Sequence, residues 1–162
     1  MMKKELTRRS FLKLAGVGTL AVAMSGSLTG CDVIDNLKDM DSVSAAIGDV
    51  KFMLSASAWV NNGSNGISYQ PTCEIRNNSK KAVTYGGIGS NCEVIITGVL
   101  TDKNGKEYPM TYAGKNGSAP AGEKYEVKDF KLVAVGKGLY MEGSKVVTTF
   151  TYNGRKAVFT EY

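Results

Sequence analysis

Apolar and polar residues alternate with a period of two from residue 50 onward, and this alternation limits the possible fold more than any other feature. Successive side chains of a strand point to opposite faces, so the alternation is typical of strands with one buried face. Further segments with the same pattern begin near residues 67, 81, 91, 106, 123, 144 and 156. In the first segment we expect one face to carry Val50, Phe52, Leu54, Ala56, Ala58 and Val60.

Turn signals separate these segments at short intervals. Two Asn-Gly pairs, Asn104-Gly105 and Asn153-Gly154, are flanked by alternating apolar residues, and such pairs are typical of β-hairpin turns. No convincing helical periodicity interrupts the strand patterns after residue 50. The sequence therefore predicts an all-β domain over residues 50–162, built as an antiparallel β-sandwich of seven or eight strands.

Two stretches of this domain resemble a known type of module. "VIITGVLTDKNGKEY" (residues 94–108) is followed by "APAGEKYEVKDF" (residues 119–130). In order, they contain an apolar strand, an Asp-x-x-Gly hairpin at Asp102–Gly105 and a turn at Pro120–Gly122. This order is similar to that of small Ig-like domains of bacterial lipoproteins, including the FxLYD type. The resemblance implies an Ig-like sandwich and supplies no catalytic residues.

The first thirty residues have the composition of a secretory signal peptide. They carry five basic side chains against one acidic side chain, whereas residues 31–162 have a net charge of only +1. The apolar stretch from Leu14 to Met24 is too short for a permanent transmembrane helix, which needs about 20 residues. We therefore expect residues 1–30 to be removed on export. Because the basic charge belongs to this segment, it does not indicate a nucleic-acid partner.

Two motifs in this segment resemble bacterial export signals. "TRRSFLK" resembles the twin-arginine signal, whose favoured positions are occupied by Arg8, Arg9, Phe11, Leu12 and Lys13. "LTGC" resembles the lipobox of bacterial lipoproteins, which is formed here by Leu28, Thr29, Gly30 and Cys31. The chain is thus similar to twin-arginine-exported lipoproteins. The resemblance implies that Cys31 is acylated on sulfur and becomes the first residue after cleavage.

The segment after Cys31 is acidic. Residues 32–49 contain five aspartates and one lysine, a composition that favours a solvated spacer. We therefore expect residues 31–49 to form a lipid-anchored tether. Two or three acyl chains would hold the mature protein stably on the outer face of the bacterial cytoplasmic membrane, or on the outer membrane of a two-membrane cell.

The chain contains no histidine, which restricts the reactions and metals it can support. Ser-His and Cys-His nucleophilic machinery is excluded. Blue copper requires histidines, covalently attached haem requires a C-x-x-C-H motif, and iron-sulfur clusters require about four thiolates. The sequence therefore predicts no catalytic residues, no cofactor and no metal.

Cys73 and Cys92 remain once Cys31 is assigned to the lipid. An even number of cysteines outside the reducing cytoplasm suggests a disulfide, and both lie in phase with apolar residues that we expect to face the core. Two buried free thiols are the main alternative, and use as ligands or reactive groups is a third.

Aromatic residues are the best candidates for a binding surface, since they offer large contact areas with little side-chain entropy to lose. The candidates are Trp59, Tyr85 and Tyr108, and half-buried positions in the sheet are the alternative for each. We expect a non-enzymatic, membrane-anchored module that binds an envelope protein or a surface glycan. The alternatives are an accessory or structural subunit co-exported with a larger twin-arginine substrate, and a small hydrolase.

Overall fold

The structure, a computed structural model, describes residues 42–61 and 65–162. The predicted signal peptide, the lipobox with Cys31 and most of the predicted tether lie outside the described residues. The described part contains eleven strands and no α-helix, which confirms the predicted all-β class. Among these residues, none forms a helix that could span a membrane.

The strands belong to one sheet. Its main path runs in the order β1-β2-β3-β9-β6-β5-β10-β11, and adjacent strands on that path are antiparallel. The strand bounds are β1 (Ser42–Ile47), β2 (Val50–Asn61), β3 (Ile67–Asn77), β4 (Val83–Gly86), β5 (Val94–Thr101), β6 (Glu107–Tyr112), β7 (Gly117–Ala119), β8 (Lys124–Val127), β9 (Leu132–Ala134), β10 (Lys145–Tyr152) and β11 (Arg155–Glu161).

Short strands fill the space between the two long strands β3 and β5. Along one edge of β3, β9 pairs with the first residues and β8 pairs with the later ones. Along one edge of β5, β6 pairs with the second half, and β4 pairs in parallel with the first two residues. β7 pairs with β4 on its other side. Each of the two long strands therefore pairs along one edge with two short strands, which follow one another along its length.

The sheet curls until it is nearly barrel-shaped, and the strands at the two ends of its path, β1 and β11, lie next to each other. The predicted count of seven or eight strands is too low. β1 lies in the range assigned to the tether, and β7 has only three residues. The segment expected to form one strand over residues 123–135 is divided into β8 and β9, because Asp129 between them adopts a positive φ of 56°.

A β-bulge in β2 changes which face is buried. The pairing with β3 shifts between Ser55 and Ser57, so one extra residue is inserted at position 56. Before the bulge, Phe52 and Leu54 are buried as predicted. After it, Trp59 packs against the core and Val60 is exposed, so the prediction of one apolar face from Val50 to Val60 is wrong beyond the bulge.

The core fills the inside of the curled sheet. β5 and β10 alternate strictly between buried and half-buried residues, as the period of two requires. Four phenylalanines meet at its centre. The ring of Phe150 stacks on Phe52 with centroids 4.7 Å apart. Its centroid lies 5.6 Å from that of Phe159, in an edge-to-face contact, and 6.1 Å from that of the tilted Phe130 ring. Such aromatic contacts add about 0.5–1.5 kcal/mol each to the effect of burial.

The curled sheet has two ends, which we name for what lies there. At the entry end the pairing brings together the strand ends at Asn61, Ile67, Thr101, Glu107, Ala134, Lys145 and Glu161. β1 runs away from this end, and its first residue, Ser42, pairs with Ser55 in the middle of β2. The turn end consists of the turns at residues 48–49, 78–82, 120–123 and 153–154. Both predicted Asn-Gly pairs lie in hairpin turns, one at each end, with Gly105 and Gly154 at φ values of 82° and 73°.

Candidate functional site: a pocket at the turn end

Trp59 lies near the end of β2, at the entry end. Its ring packs against Tyr69 with centroids 5.1 Å apart, and it is half-buried against the core. Its indole Nε1 is buried and has no hydrogen-bond partner among the described residues. The structure therefore places Trp59 in the wall of the core, the alternative that the sequence left open for it.

Tyr85 and Tyr108 lie in two other environments. Tyr85 on β4 is buried and packs against Tyr125 at 6.0 Å, and this burial raises the pKa of its hydroxyl. Tyr108 on β6 is half-buried, with Nζ of Lys106 5.0 Å from its ring centroid. The three aromatic residues predicted to bind a partner thus lie on three strands, each within its own set of neighbours, and they do not form one surface.

The two cysteines of the domain are free thiols in the structure, so the predicted Cys73–Cys92 disulfide is not formed. Cys73 lies in the middle of β3 and pairs with Leu54 on one side and Val127 on the other. Cys92 precedes β5 and is half-buried. The short strands lie between β3 and β5, which explains why the two sulfur atoms do not meet. Burial raises the pKa of the Cys73 thiol well above its ordinary value, so this thiol stays protonated at neutral pH.

A buried carboxylate lies inside the sheet at the entry end. Glu161 accepts hydrogen bonds from the hydroxyl of Ser57 and, over 2.5 Å, from the hydroxyl of Tyr69. A cavity of about 10 Å³ adjoins it, which is room for about one water molecule. The bulge in β2 is what turns Ser57 toward the carboxylate. Because the cavity is so small, it leaves no room for an organic ligand. The cluster of Ser57, Tyr69 and Glu161 therefore fits a structural role.

The larger depression lies at the turn end, where it has a volume of about 340 Å³ and opens to solvent. Three turns that are distant in the sequence form it. Its lining offers a carboxylate, a guanidinium and two hydroxyls, together with apolar contact area. The lining residues are Ile47, Gly48, Asp49, Ser79, Tyr152, Asn153 and Arg155.

Asn77, which is buried, and its neighbour Asn78 hold two of these turns in place. The side-chain nitrogen of Asn77 donates to the carbonyl oxygens of Lys81 at 2.8 Å and Ala119 at 3.0 Å. Its side-chain oxygen accepts from the backbone nitrogen of Ser79 at 3.0 Å and from the Ser79 hydroxyl at 2.6 Å. The backbone of Asn78 also donates to the carbonyl of Asp49 at 2.8 Å. Ser79 and Asp49 are thereby fixed at the edge of the pocket.

The pocket offers charged and hydroxyl groups that can bind a polar ligand. Asp49 and Arg155 can pair with charged or hydroxyl groups of a ligand, and Ser79 both donates and accepts hydrogen bonds. Within residues 42–61 and 65–162, no group of three or more potential metal ligands of the His, Cys, Asp or Glu type comes together. The sequence analysis missed these pocket residues, although the Asn153-Gly154 signal did locate one of the turns that form the pocket.

Comparisons with known proteins give this chain no relatives: no family model matches it, and neither a curated protein nor a solved structure does.

Proposed function

We propose that this protein is a membrane-anchored bacterial lipoprotein whose all-β domain binds an envelope protein or a surface glycan through the turn-end pocket, without catalysing a reaction. The observation that carries the proposal is the position of the pocket. β1 runs from Ser42, the first described residue after Cys31, toward the pocket, which Ile47 at the other end of β1 lines. A lipid anchor at Cys31 would therefore leave the pocket facing away from the membrane.

The lining of the pocket supports a polar ligand. The lining offers a carboxylate at Asp49, a guanidinium at Arg155 and hydroxyls at Ser79 and Tyr152, with a smaller apolar part. Glycan rings and protein loops both present hydroxyl or amide groups beside apolar faces, and such ligands match this mixed lining.

The Ig-like resemblance is part of the same proposal, because Ig-like modules commonly bind partners through loops at one end. The two turns within the stretches that carry the resemblance lie between strands of the structure. Asp102–Gly105 joins β5 to β6, with the backbone nitrogen of Gly105 donating to the carbonyl of Asp102 at 2.9 Å. Pro120–Gly122 lies between β7 and β8, in one of the turns of the turn end.

The binding site is tested by site-specific photocrosslinking in intact cells. A photoreactive residue replaces Asn153 in the pocket, and the matched control carries it at Lys103, an exposed residue at the entry end. We expect adducts of a defined mass from position 153, and we expect Arg155→Gln and Asp49→Asn to reduce them several-fold. Equal adducts from both positions, or adducts insensitive to both substitutions, would contradict a pocket at the turn end.

The anchor is tested separately by mass spectrometry of the native protein. We expect the chain to begin at Cys31 with an acylated sulfur, and we expect Cys31→Ser to release the protein from the membrane fraction. An unmodified thiol at residue 31 in membrane-derived material would contradict the lipoprotein assignment.

A further inference from the structure

Exposed apolar side chains concentrate at the entry end. Among the described residues five large hydrophobic side chains are exposed, and four of them lie there: Val60 at 42%, Val135 at 78%, Tyr140 at 64% and Tyr162 at 51%. The fifth, Ile88 at 79%, lies in the loop between β4 and β5. None of the five lies in the turns that make up the turn end.

The strand register and the loop contacts place these four residues at the same end of the sheet. Val60 pairs with Ser68 at the start of β3, and Val135 follows Ala134, which pairs with Ile67 of the same strand. Gly66 brings these segments close, since a Cβ atom there would lie 2.0 Å from the carbonyl oxygen of Ala134. The loop with Tyr140 leads from β9 to β10 and reaches the β5–β6 hairpin, where Gly143 approaches Lys103. Tyr162 directly follows Glu161, which pairs with Val146.

The path of the chain indicates how the entry end is placed relative to a membrane that holds Cys31. β1 runs away from the entry end, and it begins at Ser42, eleven residues after Cys31 and level with Ser55 in the middle of β2. Even if fully extended, that length of chain spans at most about 40 Å. With acyl chains on Cys31, this direction of β1 would place the entry end toward the bilayer.

We propose that the entry end rests on the lipid bilayer, with Val60, Val135, Tyr140 and Tyr162 contacting the boundary between headgroups and acyl chains. This inference rests on the proposed lipid anchor and adds to it a fixed orientation of the domain. Tyrosine suits that boundary because its ring is apolar and its hydroxyl stays hydrated. Transfer of an exposed valine side chain out of water lowers the free energy. A domain that is already tethered to the bilayer loses little additional translational freedom when it touches the surface.

Charge does not drive this contact. The exposed basic side chains around the entry end are Lys103, Lys106 and Lys137, and the exposed carboxylates Glu107 and Glu142 nearly balance them. Attraction to anionic lipid is therefore weak. We expect the domain to adopt the same orientation on zwitterionic and anionic vesicles, with little dependence on salt.

The orientation is tested by lysine acetylation of the mature lipoprotein reconstituted into phosphatidylcholine vesicles. Quantitative peptide mass spectrometry compares acetylation rates in vesicles with those in detergent. We expect several-fold slower acetylation in vesicles at Lys103 and Lys137, and unchanged rates at Lys80 and Lys156, which are exposed near the turn end. Equal rates at all four lysines in vesicles and detergent would overturn the proposal.

Substitutions at exposed positions sharpen this test without disturbing the core. We expect the double substitution Val135→Asp, Tyr140→Asp to restore acetylation at Lys103 and Lys137 in vesicles, while the protein still floats with the vesicles. The matched control is Ile88→Asp, which removes an equally exposed apolar side chain elsewhere and should leave the protection unchanged. Protection that survives the double substitution would overturn the role of these side chains.

Two further outcomes separate the possible failures. A wild-type protein that does not float with vesicles refutes the lipid anchor, and the orientation with it. A protein that floats but is protected at Lys103 and Lys137 only in native membranes, and not in phosphatidylcholine vesicles, refutes lipid contact alone and indicates a protein that covers the entry end.

Discussion

The hydroxyl of Tyr69 on β3 donates a hydrogen bond to Oε2 of Glu161 on β11 over 2.5 Å, inside the sheet. Glu161 also accepts from Ser57 on β2, so one carboxylate joins three strands near the place where the curled sheet almost closes. Hydrogen bonds to a charged acceptor are roughly twice as strong as neutral ones.

Tyr69→Phe tests this link. We expect the substitution to lower the free energy of unfolding by about 1.5–3 kcal/mol, since Glu161 loses a charge-assisted hydrogen bond while the packing of the ring is kept. Tyr112→Phe is the matched control, because the hydroxyl of Tyr112 donates to a neutral acceptor, the carbonyl of Lys115, at 3.0 Å. Urea denaturation measures both variants. A Tyr112→Phe effect as large as that of Tyr69→Phe would argue against a special contribution from Glu161.

Stability is expected to fall at alkaline pH, beginning above pH 9. Burial raises the pKa of Cys73 above its ordinary value of 9.0, and burial together with the Glu161 charge raises that of Tyr69 above 10.0. The folded state then holds protons that the unfolded state has released, so stability is complete below pH 9 and declines as pH rises. In Cys73→Ala, the decline in stability should begin at about pH 10, because Tyr69 remains and its ordinary pKa is 10.0. Denaturation midpoints measured from pH 7 to 11 check this, and an unchanged onset in the variant would contradict it.

The thiols should differ in reactivity. In a Cys31→Ser protein without reductant, we expect dithiobis(nitrobenzoate) to modify the half-buried Cys92 in the native state and the buried Cys73 only after denaturation. The free thiols also imply that a Cys73→Ser, Cys92→Ser protein folds. If neither thiol reacts even after denaturation, the two cysteines form a disulfide in solution.

Asn77→Ala should destabilise the turn end. Four hydrogen bonds of a fully buried side chain are lost, the carbonyl of Ala119 loses this donor, and the carbonyl of Lys81 keeps the hydroxyl of Ser79 as a donor. We expect a loss of about 3 kcal/mol in the free energy of unfolding. Asn78→Ala is the control, since its exposed side chain is removed while its backbone bond to Asp49 remains. If both variants lose a similar amount of unfolding free energy, the hydrogen bonds of the Asn77 side chain do not stabilise the turn end.

Phe150→Ala tests the centre of the core. The side chain is fully buried between Phe52 and Phe159, so its removal leaves a large cavity. We expect a cost of about 3–5 kcal/mol. Thr149→Ala on the opposite face of β10 is the control, and thermal unfolding measures both. A cost below 1.5 kcal/mol would mean that the surrounding rings collapse into the space.

Much of the strand pattern follows from the sequence because a period of two is a local property. β3 begins and ends where its segment "ISYQPTCEIRN" does, and the Asn153-Gly154 pair forms the predicted hairpin turn. The division between β8 and β9 was not predicted, because the positive φ of Asp129 is rare for a residue other than glycine and leaves no local signal.

The bulge at residue 56 could not be read from the sequence either. Apolar residues continue with a period of two through Ala58 and Val60, yet the second half of β2 is shifted by one residue. That shift brings Ser57 to Glu161 and Trp59 to Tyr69. These contacts depend on the tertiary fold, and the first joins residues 104 positions apart.

The candidate site escaped prediction for a related reason. Each turn that lines the pocket is marked in the sequence by glycine or asparagine, as at Gly48 and Asn153. Whether the turns converge depends on the curling of the sheet, which places the β1–β2 hairpin beside the β10–β11 hairpin. Sequence reasoning favoured large aromatic residues instead, and the fold uses Trp59 and Tyr85 for packing.

The bond between Ser57 and Glu161 also has a consequence for biosynthesis. While β11 is still within the ribosome, the hydroxyls of Ser57 and Tyr69 lack their acceptor and Phe150 lacks its Phe159 neighbour. A topology dominated by such distant pairings is acquired slowly. The domain therefore completes its fold only after β11 has left the ribosome, and twin-arginine export, which we propose for this chain, would have to follow that step.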